Sequence, residues 1–176
     1  NMGLFYAWEG TLRYDDGVAR VNLLLNRASP WMDIDSYLPY EGKVVLRNKK
    51  AREAFVRIPL WVDRGAVRCA LAGKSRPKVW FGDYLRFEGL KPGDELTIQF
   101  PVAETAERWT IPPQMTGEPT TNTQTRACRF LGNTLIEMQP PFPGARDFQG
   151  RPAKYAAPKA PMVKVTRSVT PVTIKW

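Results

Sequence analysis

The sequence predicts an all-β fold, an antiparallel β-sandwich or jelly roll preceded by one short N-terminal helix and followed by an extended, Pro-rich basic tail. Three observations carry this. Apolar and polar residues alternate at period two in successive short runs, the pattern of strands with one face in a core. Gly- and Pro-containing turns recur between these runs at close, regular spacing. No helical pattern lies between them, which argues against a parallel α/β sheet, because its crossovers need helices. The 43% hydrophobic content suffices for a core, and 176 residues suit one domain. The chain divides into an interface helix over residues 1–14, a β-sandwich over 15–138 and an extended arm over 139–176.

Residues 1–14 read as a helix because Leu4, Phe5, Trp8 and Leu12 recur at three- and four-residue spacing, with Asn1 as N-cap and Asp15-Asp16-Gly17 as the break. A strand follows over 18–26, with Ala19, Val21, Leu23 and Leu25 on one face. Residues 32–38 and 43–47 form a hairpin across Pro39-Tyr40-Glu41-Gly42. The run 53–61 is the central strand: Ala54, Val56, Ile58 and Leu60 alternate with Phe55, Arg57 and Trp61, and Pro59 ends the ladder because it has no N–H. Val67, Cys69 and Leu71 share a face of the next strand, 73–77 is a loop, and 84–88 is another strand. Residues 90–94 turn sharply into the strand of Leu96, Ile98, Phe100 and Val102. A weaker strand spans 104–111 and a polar loop 112–124. Strands 126–131 and 134–138 meet at Gly132-Asn133 in a tight hairpin. Seven prolines from residue 139 onward give an extended arm, with edge strands at 162–165 and 172–176.

The formal net charge is +9, yet residues 140–176 alone hold seven Lys/Arg and one acid. The excess is therefore concentrated in the tail, and no RNA-binding or helix-turn-helix motif accompanies it, so nucleic acid is not expected as a partner. No apolar run approaches the roughly 20 residues of a bilayer span, so the chain reads as soluble, with no membrane partner. No signal-peptide pattern opens it.

Histidine is absent, which removes Ser-His and Cys-His catalysis and the commonest metal ligand. Cys69 and Cys128 each sit in an alternating apolar run, as buried free thiols or a disulfide, and neither has the spacing of a zinc site. Asp15/Asp16 and Asp33/Asp35 are the close carboxylate pairs; one lies in a turn and the other on the exposed face of a strand, without the further oxygen ligands that calcium needs. Trp31, Trp80 and Tyr84 read as exposed aromatics. They suit a sugar-stacking platform, core packing, or contact with a neighbouring domain. The apolar stripe Leu4, Phe5, Trp8 and Leu12 requires a partner, because a solvated helix does not carry one.

Several motifs occur in a characteristic order: Tyr6-Ala7-Trp8, Arg20-Val21-Asn22-Leu23, Leu38-Pro39-Tyr40-Glu41-Gly42-Lys43-Val44, Val56-Arg57-Ile58-Pro59-Leu60-Trp61 and Leu90-Lys91-Pro92-Gly93-Asp94. Together they resemble the C-terminal part of glycoside hydrolase family 127, the β-L-arabinofuranosidase-like enzymes, over roughly residues 1–110. The run 159–167 resembles the tails of that group. The resemblance implies an (α/α)6 barrel that carries a zinc-bound cysteine nucleophile and a glutamate acid/base, with β-sandwich domains after it. None of those residues maps onto this chain, so zinc is implied only for the catalytic domain and no cofactor for the chain itself. The expected function is a non-catalytic sandwich supporting the barrel, with the helix at residues 1–13 packed on it or pairing with a second copy. The alternative is a stand-alone carbohydrate-binding or protein-interaction module.

Overall fold

A computed structural model describes residues 2–111, 124–141 and 151–163. The chain forms two compact units. One comprises Asn1–Leu38, Gly42–Pro101 and Pro161–Trp176, the other Pro39–Glu41 and Val102–Ala160.

In the first unit, helix α1 (Met2–Gly10) leads into strands β1 (Leu12–Asp15) and β2 (Val18–Val21). Asp16 and Gly17 close this hairpin with φ of 39° and 80°. Two consecutive positive φ values make the primed turn whose twist matches the strands, and Asp-Gly is a dipeptide that favours it. The Asp-Asp-Gly run therefore turns a hairpin rather than ending a helix. The helix stops at Gly10, and Leu12 is a core residue of β1, 1% exposed, instead of a member of the helical stripe.

The remaining strands of this unit are β3 (Met32–Ser36), β4 (Lys43–Asn48), β5 (Glu53–Arg57), β6 (Arg68–Leu71), β7 (Lys74–Arg76), β8 (Val79–Phe81), β9 (Tyr84–Glu88) and β10 (Glu95–Gln99). They make a β-sandwich of two five-stranded sheets, ordered β1-β2-β5-β9-β8 and β3-β4-β10-β6-β7. Strand β5 is the middle of the first sheet, and its ladder ends at Arg57, two residues before Pro59. The alternation works as expected: Ala54, Val56, Leu85, Ile34, Leu46 and Ile98 point into one buried core. One pair departs from antiparallel order, since β2 runs parallel to β5 from Val18↔Glu53 to Val21↔Val56. The long connection that a parallel pair requires is supplied by β3 and β4, which belong to the opposite sheet, so no crossover helix is needed.

Two further expectations are corrected. Strand β2 ends at Val21, and beyond it Leu23 and Leu25 are exposed while Leu24 is buried, so the period-two register over 18–26 breaks at Asn22. The chain leaves one sheet there for the other, and Asn22 is held by hydrogen bonds instead of a ladder. The loop expected at 73–77 contains β7, which pairs with β6 across Ala72 and Gly73, both at positive φ.

The second unit holds a separate antiparallel sheet, β11 (Glu104–Ile111), β12 (Gln124–Leu131) and β13 (Thr134–Gln139). Residues 15–138 therefore contain strands of both units. Gly132-Asn133 joins β12 to β13 as expected. A short helix, α2 (Arg151–Tyr155), interrupts the extended arm; Arg151 Nη1 donates to the Leu135 carbonyl at 3.0 Å, and the Tyr155 ring packs on Tyr40 at 5.4 Å. Met162 and Val163 are not in a strand. The loop expected at 112–124 gives up Gln124 to β12; its remaining residues, residues 164–167 of the tail motif and the strand at 172–176 lie outside the described residues.

Candidate functional site

Helix α1 has one charged residue, Glu9, in nine. Leu4, Phe5, Tyr6 and Trp8 are each 42–75% exposed, and Gly3, Ala7 and Glu9 are exposed as well, so no face of the helix between residues 3 and 9 is covered. A helix that is apolar all round belongs in a core, where neighbours pack on several sides. The expected stripe of Leu4, Phe5, Trp8 and Leu12 thus loses Leu12, gains Tyr6, and becomes a whole apolar surface.

The helix is gripped at its base. The last four carbonyls of an α-helix have no partner within it, and here each is satisfied. Thr11 Oγ1 donates to Ala7 O at 3.1 Å, Arg27 Nη1 to Trp8 O at 2.7 Å and Glu9 O at 2.6 Å, and Asn22 Nδ2 to Gly10 O at 2.8 Å. Arg27 Nη1 also approaches Leu12 O at 3.1 Å, and its guanidinium lies 4.3 Å from the Trp8 ring centroid. Burial lowers the Arg27 pKa and the charge of Glu9 opposes that shift. An arginine so placed stays charged, and a cation at a helix C-terminus is favoured by the helix dipole.

Both sheets hold this base. The Arg27 backbone exchanges hydrogen bonds with Ile34 of β3, 3.0 and 2.8 Å, which anchors it to the second sheet. Asn22 Oδ1 accepts from Tyr84 Oη at 3.0 Å, which anchors it to β9 of the first. Sequence reasoning missed Arg27, which lies in an irregular segment with no periodic signal. Asn22 belongs to the run Arg20-Val21-Asn22-Leu23, whose alternation gives its side chain no role.

The three candidate platform aromatics do not converge. Trp31 stacks on Tyr14 at 5.3 Å and 6°, closing the sandwich edge formed by β1 and β3. Trp80 is cross-strand from buried Leu85 and packs against the core, with Arg64 4.7 Å from its ring. Tyr84 alternates with Leu85, so it faces the opposite side of the same sheet and serves Asn22. All three are half-buried, not exposed.

Three of the four paired carboxylates are committed to local partners. Asp16 meets Arg52 at 3.3 Å, Asp33 meets Lys49 at 2.8 Å, and Asp35 is bonded to Arg47. Asp35 is buried rather than on an open face, because it lies beside the equally buried Val45 on β4. Cys69 and Cys128 are buried free thiols; burial pushes Cys69 up to about 11, and burial with Glu107 raises Cys128. Among the described residues, no three Cys, Asp or Glu side chains gather as a metal site, and no helix is long and apolar enough to cross a membrane.

The first unit is thus a β-sandwich that presents an uncovered apolar helix on a rigid base, the geometry of an interface rather than of a catalytic cleft. No family model and no curated protein matches the chain. Among solved structures, part of its fold is similar to the GH127 β-L-arabinofuranosidase of Geobacillus stearothermophilus T6, at 17% identity and TM-score 0.49, over 72% of this chain and 21% of that one. A second GH127 β-arabinofuranosidase is similar at 16% identity and TM-score 0.49, over 71% and 23%. A third, named a glycoside hydrolase, is similar at 16% and 0.44, over 66% and 20%. The chain spans about a fifth of the length of these proteins.

Proposed function

We propose that this chain is a non-catalytic β-sandwich portion of a family-127-like glycoside hydrolase, and that α1 is the element through which it holds an (α/α)6 catalytic barrel. The observation that carries the reading is α1: apolar on every side, uncovered, and fixed to the sandwich by its C-terminal carbonyls. Nine residues are too few to be stably helical in water without packing. A helix gripped only at one end, with all faces free, suits a place among other helices, and a helical barrel offers neighbours on both sides. The family assignment rests on the ordered motifs of residues 1–110. Zinc and the catalytic groups belong, on this reading, to the barrel.

Without a barrel, the same surface pairs with a second copy. Sedimentation of the chain at micromolar concentrations should show self-association that Phe5→Glu with Trp8→Glu removes. A monomeric wild-type chain whose α1 amides are protected from exchange would refute the idea that this helix needs a partner. The barrel itself is tested by the coding sequence in frame upstream of Asn1. A segment of helices that builds the barrel is expected; a stop codon or a segment of another fold refutes it.

A further inference from the structure

We infer that the outer face of the β1-β2-β5-β9-β8 sheet is a binding surface for a polysaccharide that carries uronic-acid carboxylates. Cross-strand pairing puts Arg13, Arg20, Phe55, Arg86 and Val79 in one row across this face, and Arg57, Tyr84 and Phe81 in the next. Phe81 is 69% and Val79 49% exposed, and Phe81 meets Phe55 edge-on at 5.9 Å. Arg20 and Arg86 each lie 5.8 Å from the Phe55 ring centroid, which fixes the middle of the row.

The charges on this face are sorted. The acids Asp15, Glu53 and Glu88 share the row on the other side of the arginines, and Glu53 and Glu88 both pair with Arg86. Arg13, Arg20 and Arg57 form no ion pair among the described residues. Three guanidinium groups on a face that also carries the exposed Phe81 ring and the half-buried Phe55 and Tyr84 fit an anion that also has an apolar face. Arginine's planar fork binds a carboxylate bidentately, and aromatic rings take the C–H faces of a sugar. Adjacent strands lie about 4.8 Å apart, so Arg13 and Arg20 on neighbouring strands are spaced at roughly the advance of one ring in an extended polysaccharide. An acidic peptide fits less well, because a sheet face, unlike an edge, offers no backbone groups to pair with it.

This surface meets the base of α1 only through Tyr84, and its test leaves Tyr84 and α1 unchanged, so the two readings stand or fall separately. The test is affinity electrophoresis and titration of the full chain with polygalacturonate, its methyl-esterified form, polyglutamate and single-stranded DNA. Retardation by polygalacturonate is expected, weakened about tenfold or more by Arg20→Gln with Arg57→Gln, severalfold by Phe81→Ala, and strongly by esterification of the polymer. Tyr84 is left intact because it also holds Asn22. These positions are at the surface, and unchanged circular dichroism verifies the variants' fold. No retardation by polygalacturonate, equal binding of polyglutamate or DNA, or undiminished binding by the natively folded double variant would each overturn the inference.

Discussion

Replacing Arg27 by Ala isolates the anchor of α1. Its Nη1 nitrogen carries two hydrogens but approaches three carbonyls, so the anchor amounts to two charge-assisted hydrogen bonds rather than three. Such bonds contribute about 1.5–3 kcal/mol each, and the contact with the Trp8 ring about 0.5–1 kcal/mol more. Part of this is returned: the variant no longer desolvates a buried cation, and the freed carbonyls of an exposed helix can reach water. The expected loss is therefore near the low end, about 3 kcal/mol, a little over a hundredfold in the opening equilibrium of α1. Native-state hydrogen exchange reads this directly. The hydrogen-bonded amides of α1 should lose about a hundredfold in protection while those of β5 and β10 change little. Arg27→Lys should fall between, since an ammonium keeps the charge and loses the fork and the stacked plane. Undiminished protection in Arg27→Ala would show that something other than these carbonyl contacts holds the helix, and equal losses in β5 and β10 would show that the helix is part of the core.

Ile98→Ala, at a side chain with no exposure, should cost about 2–5 kcal/mol in urea unfolding, while Thr97→Ala, on the other face of the same strand, should cost under about 1 kcal/mol; equal losses would mean the register is wrong. The Cys69 thiol stays protonated in the folded chain up to about 11 but ionises near 9 when unfolded, so stability present below pH 9 is lost as pH rises toward 11. The loss of unfolding free energy in urea between pH 8 and 10.5 should accordingly be smaller in Cys69→Ala, by at most about 2 kcal/mol, and equal losses would refute burial as the cause. The purified chain should neither hydrolyse an aryl arabinofuranoside nor hold stoichiometric zinc by metal analysis; chelator-sensitive hydrolysis would refute the non-catalytic reading.

The sandwich was legible because its strands alternate: Val56, Ile58, Ile98 and Phe100 point inward as the period-two pattern requires. Errors arose where one local signal serves two structures. Asp16-Gly17 can stop a helix or turn a hairpin, and Leu12 lies four residues after Trp8, so a core position of β1 mimicked a further helical turn. The parallel β2–β5 pair has no local signature, because it depends on which sheet β3 and β4 join. The anchor was illegible for a related reason. Asn22 and Arg27 lie 12 to 19 residues beyond the carbonyls they hold and Tyr84 lies 62 beyond Asn22, and only tertiary structure brings their polar atoms to the end of α1. Composition announced that the helix needs a partner; it could not announce what holds the helix in place.

The two-sheet attachment of that anchor has a mechanical consequence. A pull on α1 passes along the chain into edge strand β1, but also through Arg27 into β3 and through Asn22 and Tyr84 into β9, so part of it divides between layers whose shared core must be sheared before either moves alone. A tether to one edge strand would instead unzip one hydrogen bond at a time. Whatever grips α1 therefore gains a stiff lever, and thermal rocking of the sandwich against that partner would bend at the partner's contacts before it bends at the base of the helix.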